Sequence, residues 1–222
     1  MRARFLAALT AVLAVSAGAQ HGLPEADPAA PLGLGLAVVR VTDAPPPLRF
    51  YAHPALAEAP SGVLVESATV ADSVTFDPGR GRASLGSGPP WLLPEVIDAA
   101  RGHLAFRVRT LTPEWVEAVA NRADGRTVWL RRDRVEVVAW PDVLLQSLVT
   151  LPDPGANPLR ERPHGEASIL ATPDPEWQLR PLAVRGAWLQ VSTLGLADRI
   201  PPAGWVRWTD GERLLVGGIG EE

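Results

Sequence analysis

Twenty-three prolines and twenty glycines interrupt this 222-residue chain so often that long helices have little room. Proline fixes φ and removes a backbone donor, while glycine supplies turn conformations, so such a chain divides into many short elements. Between the interruptions, apolar and polar residues alternate over four to nine positions. The alternating stretches are Ala37–Val41, Leu48–Tyr51, Val63–Glu66, Ser73–Phe76, Leu104–Arg109, Trp115–Val119, Thr127–Arg131, Ser147–Leu151, Glu176–Val184, Trp188–Ser192, Trp205–Trp208 and Arg213–Val216. Each is bounded by Gly, Pro, Asp or Asn, which predicts antiparallel strands. Helical candidates are few. Leu93–Arg101 has Pro94 at a first helical position and predicts about two turns; Pro141–Gln146 predicts one turn. The expected fold class is all-β.

The N-terminus reads differently. Arg2 and Arg4 precede an apolar run from Phe5 to Val15, and Ser16-Ala17-Gly18-Ala19 supplies the small residues of a cleavage site. This is the pattern of a signal peptide over residues 1–19, with a mature chain starting at Gln20. The run is about half the length needed to span a membrane, so no stable membrane anchor is expected. Residues 20–35 are rich in Ala, Pro and Gly and read as a flexible leader. The expected location is extracytoplasmic, periplasmic or secreted.

Composition narrows the remaining chemistry. No cysteine occurs, which removes disulfides, thiolate metal sites and cysteine nucleophiles together. All 21 cationic residues are arginine and the net charge is -4, with no basic run suited to a phosphate backbone. Nucleic acid is not an expected partner.

The sequence also parallels itself. Leu48-Arg-Phe-Tyr51, after a proline-rich turn, parallels Leu159-Arg-Glu-Arg162 after Pro158. Glu114-Trp-Val-Glu-Ala-Val119 parallels Ala187-Trp-Leu-Gln-Val-Ser192, and Gly125-Arg-Thr-Val-Trp-Leu130 parallels Ala203-Gly-Trp-Val-Arg207. Each copy closes on a charged turn and an apolar strand, Asp133–Val138 and Glu212–Val216. Leu48 and Leu159 lie 111 residues apart but Trp115 and Trp188 only 73 apart, which places an insertion in the first copy, within about residues 71–102. Two tandem units are expected, at 36–140 and 141–219.

A Pro-Leu-Arg opening, a Gly-bounded Trp-apolar-polar-apolar strand and a Gly-Trp-Val before the last strand resemble bacterial SH3 domains. The second copy carries the resemblance best, in Asn157-Pro-Leu-Arg-Glu-Arg-Pro163, Gly186-Ala-Trp-Leu-Gln-Val191 and Gly204-Trp-Val206. The first copy diverges, lacking Gly before Trp129 and carrying Ala118 where a branched residue is usual. The resemblance implies two small five- to six-stranded barrels, used for binding rather than catalysis.

Residues suited to catalysis do not cluster in the sequence. There is no G-x-S-x-G elbow, and Ser84 reads as loop. His21, His53, His103 and His164 have no metal-ligand spacing, and Gly79–Arg82 and Gly217–Gly220 lack the context of a phosphate loop. No metal, no cofactor and no enzymatic activity are expected. What stands out is tryptophan, eight against one tyrosine. With Leu189, Val191 and Val206 in the core, strand alternation sends Trp188 and Trp205 to the outer face. The first copy gives the equivalent pair, Trp115 and Trp129. These four form a candidate platform for proline, a sugar ring or a peptide. The expected role is an envelope binding module whose partner is a protein, a peptide or a cell-wall component. The competing expectation is a structural protein whose tryptophans are buried between units or against an assembly partner.

Overall fold

The computed structural model describes residues 31–40, 42, 45–54, 70–78, 83–193 and 202–219. The expected signal peptide, most of the leader and the Val63–Glu66 strand lie outside these residues. The fold is all-β, with one short helix and a 3-10 turn at Arg132–Arg134 among the described residues.

The first half comprises β1 (Gly35–Val39), β2 (Leu48–Tyr51), β3 (Val70–Val74), β4 (Phe76–Asp77), β5 (Ser84–Leu85), β6 (Val96–Asp98), β7 (His103–Leu111), β8 (Trp115–Asn121), β9 (Arg126–Arg131) and β10 (Val135–Ala139). After helix α1 (Trp140–Leu145), the second half comprises β11 (Leu159–Arg160), β12 (Ile169–Ala171), β13 (Arg180–Arg185), β14 (Trp188–Ser192) and β15 (Ala203–Arg207).

The strand orders of the two sheets correspond. The first sheet runs β10-β1-β7-β8-β9-β2-β3, with β6 also paired to β7; the second runs β13-β14-β15-β11-β12. Taking β7, β8, β9, β2 and β3 onto β13, β14, β15, β11 and β12 gives the same order. Single bridges Val149–Leu179 and Thr150–Gly217 stand where β1 pairs with β7 and β10 in the first half. The registers agree as well. Trp115 faces Arg131 and Glu117 faces Trp129, as Trp188 faces Arg207 and Gln190 faces Trp205. Among the described residues neither sheet closes into a barrel, since β3 and β10 end the first and β12 ends the second at one side.

The alignment of the openings needs a correction of two residues. Tyr51 faces Trp129 and Arg160 faces Trp205, so the counterpart of Leu159 is Phe50 rather than Leu48. A slip of two preserves the face of every side chain, which is why the sequence pattern tolerates it. Leu48, Phe50 and Leu159 are all fully buried.

Two apolar cores follow from the alternation. The first joins Leu48 and Phe50 to Phe106, Val108, Val116 and Leu130. The second joins Leu159, Leu189, Val191 and Val206 to Trp140, Val143 and Leu144 of α1, and also takes in Leu36, Val96 and Ala105 from the outer face of the first sheet. The boundary expected near Trp140-Pro141 thus falls inside a helix that packs against both halves.

The region 93–101 is not the expected helix. Val96 pairs with Ala105 and Asp98 with His103, so β-branched Val96 and Ile97 extend the ladder of β7. Leu93 donates its N–H to the Ala120 carbonyl and accepts from the Arg122 N–H, which holds it in extended pairing. Asp98 Oδ1 accepts the Arg101 N–H, and Gly102 turns the chain at φ 60°. Burial of Val96 in the second core outweighs the local helical signal of Pro94. The expected insertion at 71–102 starts too early: β3 pairs with β2 and is the counterpart of β12, so the extra segment of the first half lies between β3 and β7, where Phe76 and Ala83 join the first core. Ser84 belongs to β5, opposite Asp77, rather than to a loop.

Candidate functional site

The two tryptophan pairs share a register and differ in exposure. Leu189, Val191 and Val206 are fully buried, so their neighbours Trp188, Gln190 and Trp205 stand on the opposite face of β14 and β15. Both indoles are half-buried there. They are diagonal neighbours, about 7–8 Å apart in a ladder of this kind. One row of this face runs Ala183, Gln190, Trp205, Arg160 and Ile169, with Ile169 58% exposed; the adjacent row runs Arg185, Trp188 and Arg207.

In the first half the same row runs Thr110, Glu117, Trp129 and Tyr51. Here Trp115 is only 6% exposed. Tyr51 reaches across β9 to meet it edge-on at 5.1 Å between centroids, and the Arg131 guanidinium lies 5.0 Å from the ring centre. Trp115 is therefore covered and does not form an open platform; Trp129 beside it stays half-buried. Glu117 accepts a 2.6 Å hydrogen bond from the Thr110 hydroxyl.

The difference traces to one register position. Where the first half has Tyr51, the second has Arg160. That guanidinium is turned aside by a 2.7 Å hydrogen bond to the Ala167 carbonyl, and Trp188 is half-buried where Trp115 is buried. Around the second platform stand Arg160, Arg180, Arg185 and Arg207. Among the described residues none of these four makes an ion pair. They are not evident as a basic run in the sequence because they lie on three separate strands. Extending the alternation rule from the tryptophans to Arg185 and Arg207 would have found them.

The other tryptophans serve the framework. Trp208 donates its indole N–H to the Gly186 carbonyl at 2.7 Å and so ties down the β13–β14 turn. Trp140 donates to the Leu32 carbonyl at 2.8 Å. Arg126 lies 4.0 Å over Trp91.

An open cleft of about 1210 Å³ lies between α1 and the outer face of the first sheet. Val38, Val96 and Ala105 contribute apolar lining, with Asp98, His103 and Glu136 also at its walls. Asp98 is committed to Arg101, both to its backbone N–H and to its guanidinium at 3.3 Å. His103 faces Asp98 in the ladder without a hydrogen bond to it, so the two do not form an acid–base pair in this geometry. His164 accepts the Glu166 N–H within a turn. Among the described residues no three His, Asp or Glu side chains gather as a metal site, and no helix is long and apolar enough to cross a membrane.

No family model, no curated protein and no solved structure matches this chain.

Proposed function

We propose that this chain is an exported, non-enzymatic binding module of the cell envelope, made of two SH3-like units of which the second carries the ligand platform. The observation that carries the reading is the half-buried pair Trp188 and Trp205 on one sheet face, backed by fully buried Leu189, Val191 and Val206. Indoles on a rigid sheet give a large contact area with little side-chain ordering on binding. The equal strand order and tryptophan register of the two halves support the tandem SH3-like reading. The partner is an envelope protein, a peptide or a cell-wall component.

The first half favours a supporting role for itself, because Tyr51 and Arg131 close over Trp115. The test is co-sedimentation and pull-down of the mature chain with purified cell wall and envelope extract. Trp188→Ala should weaken retention by about 2 kcal/mol or more while leaving the unfolding midpoint near that of the parent. Unchanged retention, or a variant that unfolds, would assign the ring to the framework and remove the platform. Protein from the extracytoplasmic fraction should have the mass of a chain starting at Gln20; full-length protein confined to the cytoplasm would overturn export.

A further inference from the structure

We infer that the platform on the second sheet takes an anionic polysaccharide whose sugar rings carry carboxylates; this rests on the binding reading above and names its ligand class. The first observation is charge. Although the chain carries a net -4, the face holding Trp188 and Trp205 gathers Arg160, Arg180, Arg185 and Arg207. None of them is ion-paired among the described residues, and Arg180, Arg185 and Arg207 are exposed. The described strands β11 to β15 carry no Asp or Glu at all. A one-sign face on a protein of the opposite net charge attracts an anion and gives no affinity for a cation.

The second observation is the placement of the charges around the rings. Arg185 and Arg207 stand directly opposite Trp188 on its two sides, at about 5 Å in the ladder. A pyranose stacked on the indole offers its apolar C–H face to the ring, and a carboxylate projecting from its edge reaches a flanking guanidinium. Guanidinium meets carboxylate with two parallel N–H donors, which fixes orientation as well as charge. Arg160, in the row of Trp205, is held by the Ala167 carbonyl and adds positive charge to the face without offering a second such fork.

The third observation excludes strand addition at the two indoles. Peptides that bind sheets gain much of their affinity from main-chain hydrogen bonds at a free edge. Here β14 is paired on both sides, to β13 and β15, and β15 is paired to β14 and β11. Recognition at the two indoles is left to side chains alone, which suits flat, substituted rings.

The test uses the mature full-length chain and measures affinity for three probes: polygalacturonate, its fully methyl-esterified form, and polyglutamate. Polygalacturonate should bind, with affinity falling as salt rises. The ester should bind roughly tenfold or more weakly, as should Trp188→Ala and Arg207→Gln toward the acid form. Arg160→Tyr, which restores the covering residue of the first half, should also weaken binding. Equal affinity for polyglutamate with no loss in Trp188→Ala would overturn the glycan inference in favour of plain charge attraction. If cell-wall retention depends on Trp188 but polygalacturonate does not bind, the ligand class is wrong and the platform stands. If neither depends on Trp188, the platform reading itself fails.

Discussion

Gly204 offers a direct test of how the second half is packed. It sits in β15 opposite Val191, and its φ is not in the left-handed region, so alanine is compatible with its backbone. A Cβ added there would lie 2.5 Å from Leu159 Cγ, 2.8 Å from Cδ1 and 3.0 Å from Cδ2. Ordinary carbon contacts are about 3.5–4.0 Å, so β15 and the Leu159 side chain must separate by about 1 Å. Leu159 is fully buried and the contact is with its branch point, which cannot swing away as a chain end would. Overpacking of this kind costs about 1–3 kcal/mol. Loss of glycine's freedom in the unfolded chain offsets about 0.4–1 kcal/mol of that. With a contact as short as 2.5 Å to a branch point the cost lies in the upper part of the overpacking range, about 2–3 kcal/mol, so Gly204→Ala should lower the urea midpoint with little change in slope, by a net of about 1–2.6 kcal/mol. Leu159→Ala alone should cost about 2–5 kcal/mol. The double variant should cost less than the sum by about 1 kcal/mol, because truncating Leu159 makes the space that the new methyl needs. A Gly204→Ala protein as stable as its parent, or additive costs in the double variant, would refute the packing of Leu159 over Gly204.

Three further outcomes follow from the geometry. Leu189→Ala should lose about 2–5 kcal/mol whereas Gln190→Ala, on the opposite face, should change stability by less than about 0.5 kcal/mol; equal losses in chemical denaturation would mean the faces are reversed. Arg107 holds both oxygens of Glu95 at 2.9 and 3.0 Å and also donates to the Pro31 carbonyl, so Arg107→Leu should destabilise by about 3–5 kcal/mol by leaving a buried carboxylate unpaired, and Glu95→Leu in the same chain should recover most of it in thermal unfolding. The Asp210 carboxyl is held down to about 2, from 3.8, first by the Arg213 side chain and then by the Arg213 and Glu212 N–H groups. The folded state favours the ionised form, so its contribution is present above pH 3.8 and is lost as pH falls toward 2; Asp210→Asn should flatten that part of the Tm against pH curve, and an identical acid limb in parent and variant would deny the assignment.

Much of the second half was legible because its signals are local. Trp188–Ser192 appears as a strand with the bounds read from alternation, and the two-residue period placed Leu189 and Val191 inside. The divergence of the first half also has a packing explanation. Ala118 faces Val128 where Val191 faces Gly204, so small and large have exchanged strands across the hairpin, the second pair being smaller by the one methyl that Leu159 displaces. What sequence did not disclose depends on contacts between distant segments. Val96 prefers a strand because β7 lies beside it, and Trp115 is covered because Tyr51, two strands away, closes on it. Neither neighbour can be read from the residues that flank Val96 or Trp115.

The N-terminal segment has a consequence for the order in which the molecule can assemble. Leu32 donates its N–H to the Glu212 carbonyl, its own carbonyl accepts from Trp140, and Leu36 lies in one apolar cluster with Val216. The earliest strand of the first sheet thus shares its outer cluster with residues about 180 positions later in the chain. As the chain emerges N-terminus first, β1 has pairing partners once β7 and β10 appear, and α1 follows them onto its outer face, but that cluster is completed only when Val206, Trp208 and Val216 arrive. Closing so long a loop is slow, because the entropy of the intervening chain must be lost before the contact is gained. The two sheets are therefore coupled through one apolar cluster, and a change in the second reaches the outer face of the first.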